Sequence, residues 1–159
     1  MIADLLPLLT AATGVAAALV GGIFFAFSSF VMAGLDRAGP EAGIRAMQQI
    51  NITVINPLFF LFFLGTAALT AIVATMALLS ASAGLPIAFG AALYIVGCLG
   101  VTGTRNVPLN KGLEHVVPGT PKGNAFWMHY LGRWTFWNHV RTIACIGAAG
   151  FILYGAFQM

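Results

Sequence analysis

The stretch Phe126–Phe157, FWMHYLGRWTFWNHVRTIACIGAAGFILYGAF, decides what kind of fold this chain adopts. Its first half, as far as Arg141, is amphipathic and rich in aromatic residues, and its second half, from Thr142, is apolar throughout. That change of character fits one helix that rises from an interface into a bilayer, with indole and phenol rings gathered at the boundary. The rest of the chain agrees. Of 159 residues 60% are apolar and 7% charged, against about 25% charged in an ordinary soluble domain, and the mean hydropathy is +0.95. So few charges cannot coat a water-facing surface, which excludes a soluble domain and makes lipid the solvent.

Working outward, three more apolar stretches precede this one. The first is read as a span over 5–35, closed by Gly34, Asp36, Gly39 and Pro40, and longer than a perpendicular crossing needs. Along it Gly14, Ala18, Gly21, Phe25, Ser28 and Met32 recur at three and four residues, a stripe expected to pack against a neighbour. Pro40 to Gln49 reads as a short interfacial helix with Glu41 in its first turn. It is expected to merge through Asn51 and the Asn56-Pro57 step into a second span over 51–80, which Pro57 kinks or starts. A short uncharged link at 81–86 makes a tight hairpin with a third span over 85–104, which stops at Arg105-Asn106-Val107-Pro108. Residues 109–123 read as a solvent-side loop with room for one helical turn, a new helix begins after Asn124, and the fourth span covers 141–157. The expected fold is all-α: one membrane domain, 1–159, built as a transmembrane four-helix bundle with an amphipathic, cytoplasmic-side lead-in to the fourth helix. Asp4, with no basic residue before the first apolar run, makes a poor signal-peptide leader, so that run is read as a retained span.

All seven basic residues, Arg37, Arg45, Arg105, Lys111, Lys122, Arg133 and Arg141, fall in or beside the first and third connections. The positive-inside rule then puts those connections in the cytoplasm and both termini outside, in the cytoplasmic (inner) membrane. The net charge of +3 comes without a Lys/Arg run, so nucleic acid is not an expected partner. Cys98 and Cys145 lie inside apolar spans, far from any CxxC pattern, and read as small packing residues.

Chemistry is sought where polar groups enter apolar spans, since such groups are costly unless they face a protein interior. On a helical wheel Trp127, Tyr130, Trp134, Trp137, Asn138 and Arg141 share one face of the fourth helix, and Cys145 extends it deeper. His129 points nearly opposite and His139 sits off the stripe. The second helix offers Gln49, Asn56, Phe59, Phe63, Thr66 and Thr70 on a similar arc, and the third ends in Arg105, Asn106 and, after the turn, Asn110. Topology gathers these polar and aromatic groups toward one leaflet, where they are expected to line a common cavity. Arg105 and Arg141 have no carboxylate at matching depth, so an anionic or electron-rich ligand is the expected counter-ion. No His, Cys or carboxylate spacing carries a metal signature; His139 is the best single candidate for a base or a lone metal ligand.

Arg105-Asn106-Val107-Pro108-Leu109-Asn110, then Phe126-Trp127 through Tyr130 and Arg133-Trp134-Thr135-Phe136-Trp137-Asn138-His139-Val140-Arg141-Thr142, together with Met47-Gln48-Gln49-Ile50-Asn51 and Asn56-Pro57, carry a likeness. The chain resembles the anthrone-oxygenase-like family of small membrane proteins over nearly its whole length. The resemblance implies a four-helix membrane bundle and, for some members, oxidation of anthrones to anthraquinones with dioxygen. On that implication Trp134, Trp137 and Phe59 hold a flat aromatic substrate, and Gln49, Asn56, Asn106, Asn110, Tyr130 and Asn138 complete the binding surface. Arg141 and Arg105 hold the enolate, and His139 takes the proton. A carbanion reduces dioxygen directly, so no organic cofactor is required; a redox metal at His139 stays open. The alternative is a non-catalytic membrane protein that binds a lipid, quinone or partner helix. A channel is disfavoured, because four spans without inverted repeats need a homo-oligomer to enclose a pore.

Overall fold

The computed structural model describes residues 2–80 and 83–159, with side chains from residue 5 onward, so the Asp4 side chain and residues 81 and 82 of the expected hairpin link lie outside the described residues. The architecture is all-α, and no strand occurs among the described residues. Four helical rods, Leu5–Arg37, Pro57–Leu79, Gly84–Glu114 and Pro121–Phe157, are long and apolar enough to cross a bilayer. Leu19, Ile23, Phe30, Leu61, Ile72, Ile143 and Ile146 stand exposed around them, an outward apolar surface that only a lipid environment accommodates.

Each boundary has a local cause. Helix α1 (Ile2–Ala26) widens into an i→i+5 bonded turn at Phe27–Val31 and resumes as α2 (Met32–Arg37). Gly39, at φ 88°, breaks the rod, and Pro40 opens α3 (Pro40–Thr53) at a position where its missing N–H costs nothing. Glu41 and Arg45 pair across one exposed turn of α3 at 2.9 Å. The chain turns at Val54 and Ile55. Helix α4 (Pro57–Leu79) then starts afresh, with the Asn56 side-chain Oδ1 accepting the Phe59 N–H at 2.9 Å. The second span therefore begins at Pro57 and does not merge with the interfacial helix, because a capping Asn followed by Pro ends one helix and seeds another.

The third rod consists of α5 (Gly84–Ala92), wide turns at Leu93–Gly100 and Thr102–Asn106, and α6 (Val107–Glu114). It continues beyond Pro108, where the sequence reading placed a stop, because the wide turn before Pro108 accommodates both the ring and the missing donor. The loop is thereby shortened. Thr120 accepts the Gly123 N–H at 3.0 Å and Pro121 sits at the first position of α7 (Pro121–Phe157), so this helix begins before Asn124.

Wide turns also explain how the third rod keeps one face on α7. Tyr94, Cys98 and Asn106 are buried there, and Thr102 and Asn110 bond to α7 side chains. Positions four apart drift steadily around a helix of 3.6 residues per turn. Turns that hold more residues reverse that drift, leaving Tyr94, Cys98, Thr102, Asn106 and Asn110 in line. Close approach supplies the rest: a β-carbon on Gly97 would lie 2.6 Å from that of Ala144.

One correction concerns the first rod. Gly14, Gly21 and Met32 face inward as expected, but Ala18 and Phe25 are exposed, and Ala17, Val20 and Phe24 take the inner face. The helix is rotated so that Phe24 enters a core with Phe63, Tyr94, Cys98, Cys145 and Ala148. A second core, of Met32, Ile44, Met47, Leu113, Trp127, Tyr130 and Trp134, joins α2, α3, α6 and the start of α7 into a cap. Helix α7, 37 residues, is about 55 Å long, against a hydrocarbon core of about 30 Å. Measured from Phe157, Arg141 lies about 24 Å along it and Met128 about 44 Å, so a slab that begins at Phe157 takes in Arg141 and leaves the cap outside.

Candidate functional site

Helix α7 carries the inward stripe read from the sequence. Trp127, Tyr130, Trp134, Asn138, Arg141 and Cys145, spaced at three and four residues, are all buried. Arg141 is 4% exposed. Its Nη2 donates to Asn138 Oδ1 at 2.6 Å and its Nη1 to Thr102 Oγ1 at 3.3 Å. The guanidinium also lies over two rings, 4.2 Å from the Phe24 centroid and 5.1 Å from that of Trp134. Its Nε is buried and has no partner among the described residues. Among the described residues no carboxylate reaches this cation, so ring faces and neutral oxygens alone offset its desolvation.

Asn138 links that cation to the first rod. Its Nδ2 donates to the Phe24 carbonyl and to Ser28 Oγ, each at 2.7 Å. Thr142 donates its only hydroxyl hydrogen to the Asn138 carbonyl at 2.8 Å, so in the 3.1 Å contact between Ser28 and Thr142 the donor is Ser28. Ser29 turns its hydroxyl back onto the Phe25 carbonyl at 2.7 Å. For Ser28 the equivalent acceptor, Phe24, is taken by Asn138, which leaves the Ser28 hydrogen turned off its own helix.

A second polar knot lies toward the cap. Asn110 Oδ1 accepts from the Tyr130 hydroxyl at 2.9 Å and from Trp134 Nε1 at 2.8 Å, and Asn51 is within hydrogen-bonding reach of the same hydroxyl. Asn106 Nδ2 donates to the Trp134 carbonyl at 3.2 Å. Trp127, Tyr130 and Trp134 stack in a column, centroids 5.7 and 6.2 Å apart, with Phe27 against Trp134 at 5.6 Å. Their faces are occupied by one another and by Arg141, so the column is a packed wall.

On the other side of α7 runs an open groove of about 500 Å³ between the first and fourth rods, lined by Ser28, Met32, Ala33 and Asp36 on one wall and by Met128, Leu131, Gly132, Thr135, Phe136 and His139 on the other. The rods are antiparallel: Gly21 meets Cys145 and Ser28 meets Thr142. Ser28 and His139 therefore share the deep end, and Asp36 and Met128 the mouth. Thr135 and His139, four residues apart, lie on one face of α7. Thr135 Oγ1 is buried without a partner among the described residues. A β-carbon on Gly132 would meet nothing within 4 Å, so this glycine leaves the groove floor open.

The structure thus gathers Arg141, Asn138, Trp134, Tyr130, Asn106 and Asn110 in the seam between the third rod and α7. Arg105 is exposed, stacked over Trp137 at 4.8 Å. His139 is exposed in the groove, on a different face from the arginines. Gln49 is exposed, and Asn56 serves as the α4 cap, with its Nδ2 on the Thr53 carbonyl at 2.9 Å. Phe59 stacks on Phe63 at 5.3 Å. Phe63, Thr66 and Thr70 do face inward, but the break before Pro57 detaches them from Gln49, since helical phase is not carried across separate helices. Sequence reasoning assigned no polar role to Ser28, Thr102 or Thr135. Thr135 was open to discovery by its spacing of four from His139, whereas Thr102 reaches Arg141 only because of the wide turns. No group of three His, Cys, Asp or Glu side chains converges among the described residues.

A family model described as anthrone oxygenase matches residues 59–151, more than half of the chain. The match takes in Asn106, Thr135, Asn138, His139 and Arg141, and Ser28 precedes it. No curated protein and no solved structure matches the chain.

Proposed function

The chain belongs to the anthrone oxygenase family, and from that premise we propose that it is a membrane oxygenase that oxidises a flat phenolic or anthrone-like molecule with dioxygen in the groove between the first rod and α7. The observation that carries this reading is that one groove is lined by a histidine and two hydroxyl residues, His139, Ser28 and Thr135, together with the apolar Met32, Met128, Leu131 and Phe136. Apolar walls with a few convergent polar groups are the usual form of a small-molecule site. Such a site at the hydrocarbon boundary admits an apolar molecule directly from lipid.

In the proposed reaction His139 removes a proton from the acidic methylene of the substrate, and Ser28 and Thr135 donate hydrogen bonds to the ring oxygen on which the charge settles. The carbanion gives its electrons to dioxygen and a carbon–oxygen bond forms. Loss of the second methylene hydrogen with cleavage of the oxygen–oxygen bond leaves a carbonyl and water, so one methylene and one dioxygen become one ketone and one water. This balance needs no outside reductant. The basic end of the bundle is proposed to face the cytoplasm, with the groove at that leaflet of the inner membrane.

Purified protein supplied with an anthrone and isotopically labelled dioxygen tests the reading. The expected result is label in the new carbonyl of the quinone, above a heat-killed control, with and without chelator. Tight binding of the anthrone without turnover would instead favour the non-catalytic reading.

A further inference from the structure

Among the described residues Arg141 is a buried cation without an acid, and a continuous path leads from it to the groove. Arg141 Nη2 donates to Asn138 Oδ1 at 2.6 Å, Asn138 Nδ2 donates to Ser28 Oγ at 2.7 Å, and Ser28 lines the deep end of the groove. Each bond polarises the next, and in a low-dielectric seam that effect is strengthened. The terminal hydrogen of the path belongs to Ser28, because Thr142 has already given its own to the Asn138 carbonyl. Within the protein this hydrogen rests on Thr142 Oγ1 at 3.1 Å, a long neutral bond that a charged oxygen in the groove would displace; among the described residues no acid lines the deep half, since Asp36 is at the mouth.

We propose that the groove takes its aromatic ligand as an oxyanion, a phenolate or enolate, and that Arg141, which does not touch the ligand, stabilises that charge through Asn138 and Ser28. Arg141 is thus a positioning residue whose field is delivered by two neutral side chains. This deepens the proposed function and rests on its placement of the ligand in the groove. It also accounts for the missing counter-ion: the acid that would neutralise Arg141 is the ligand. Thr135, on the facing wall and with its Oγ1 unpartnered among the described residues, is a second hydroxyl at this end of the groove.

The test uses 4-nitro-1-naphthol, a flat phenol whose phenolate is coloured and whose neutral form is not. Bound to the full-length protein in detergent, it is titrated and its ionisation read by absorbance. The expected result is a bound midpoint lower in the wild-type protein than in Arg141→Gln by about one pH unit, a tenfold change in acidity. Ser28→Ala, which keeps Arg141 and Asn138 in place, is expected to lose the same shift, and it decides the matter if Arg141→Gln does not fold. Probe bound with equal midpoints in the wild type and Ser28→Ala overturns the relay and leaves the groove site standing. Probe that fails to bind the wild-type protein, or that binds Gly132→Phe equally well, overturns the groove site and the relay with it.

Discussion

Asn138 and Arg141, one turn apart on α7, are joined by a 2.6 Å hydrogen bond, and the other end of the Asn138 amide is anchored 2.7 Å from the Phe24 carbonyl of the facing helix. This one side chain therefore gives a buried cation its shortest hydrogen bond and ties two membrane helices together. Asn138→Ala leaves Arg141 short of an acceptor and Ser28 without its donor. It is expected to destabilise the fold by about 2–4 kcal/mol, read as an earlier unfolding midpoint in detergent.

The two arginines of the third and fourth rods are expected to part company. Arg105 is exposed and rests on Trp137, a contact of about 0.5–1 kcal/mol at such a site. Arg105→Ala should shift the melting temperature little. Arg141→Ala opens a void between Phe24 and Trp134 and strands the Thr102 and Asn138 acceptors, so the same measurement should show a loss several times larger.

Two glycines give opposite expectations. A β-carbon on Gly43 would lie 2.6 Å from the Trp127 ring and 2.9 Å from the Leu35 carbonyl, so Gly43→Ala should cost about 1–3 kcal/mol by overpacking. Gly132 has open space around it, and Gly132→Ala should be neutral or stabilising by up to about 1 kcal/mol through helix propensity. Thermal melts of the two variants side by side check the pair.

His139 is proposed to act in the proton-transfer step. Its exposure and lack of a packing role mean that His139→Ala should fold and still bind 4-nitro-1-naphthol, while anthrone turnover falls by about 10²–10⁴-fold. Equal loss of binding and turnover would assign His139 to the binding surface alone.

Much of this architecture was legible in the chain. Composition excluded water as the solvent, and the stripe from Trp127 to Cys145 announced the inner face of α7, because regular helices keep a fixed phase. What escaped depended on departures from that phase. The wide turns at Leu93–Gly100 and Thr102–Asn106 bring Thr102 under Arg141 and carry the helix past Pro108, and no residue pattern marks them. Phe24 replaced Phe25 because the rotation of the first rod is set by what it packs against. The groove was not foreseen because it is a gap between two rods: Ser28 and His139 belong to one place only once their antiparallel register is known.

Dioxygen uptake with an anthrone, compared between the wild-type protein and Gly132→Phe, tests the account most directly, since Gly132 lines the groove and a β-carbon there meets nothing within 4 Å. Uptake by the wild type and none by an equally stable Gly132→Phe is the predicted result. Equal uptake by both would place the chemistry elsewhere in the bundle and contradict the account.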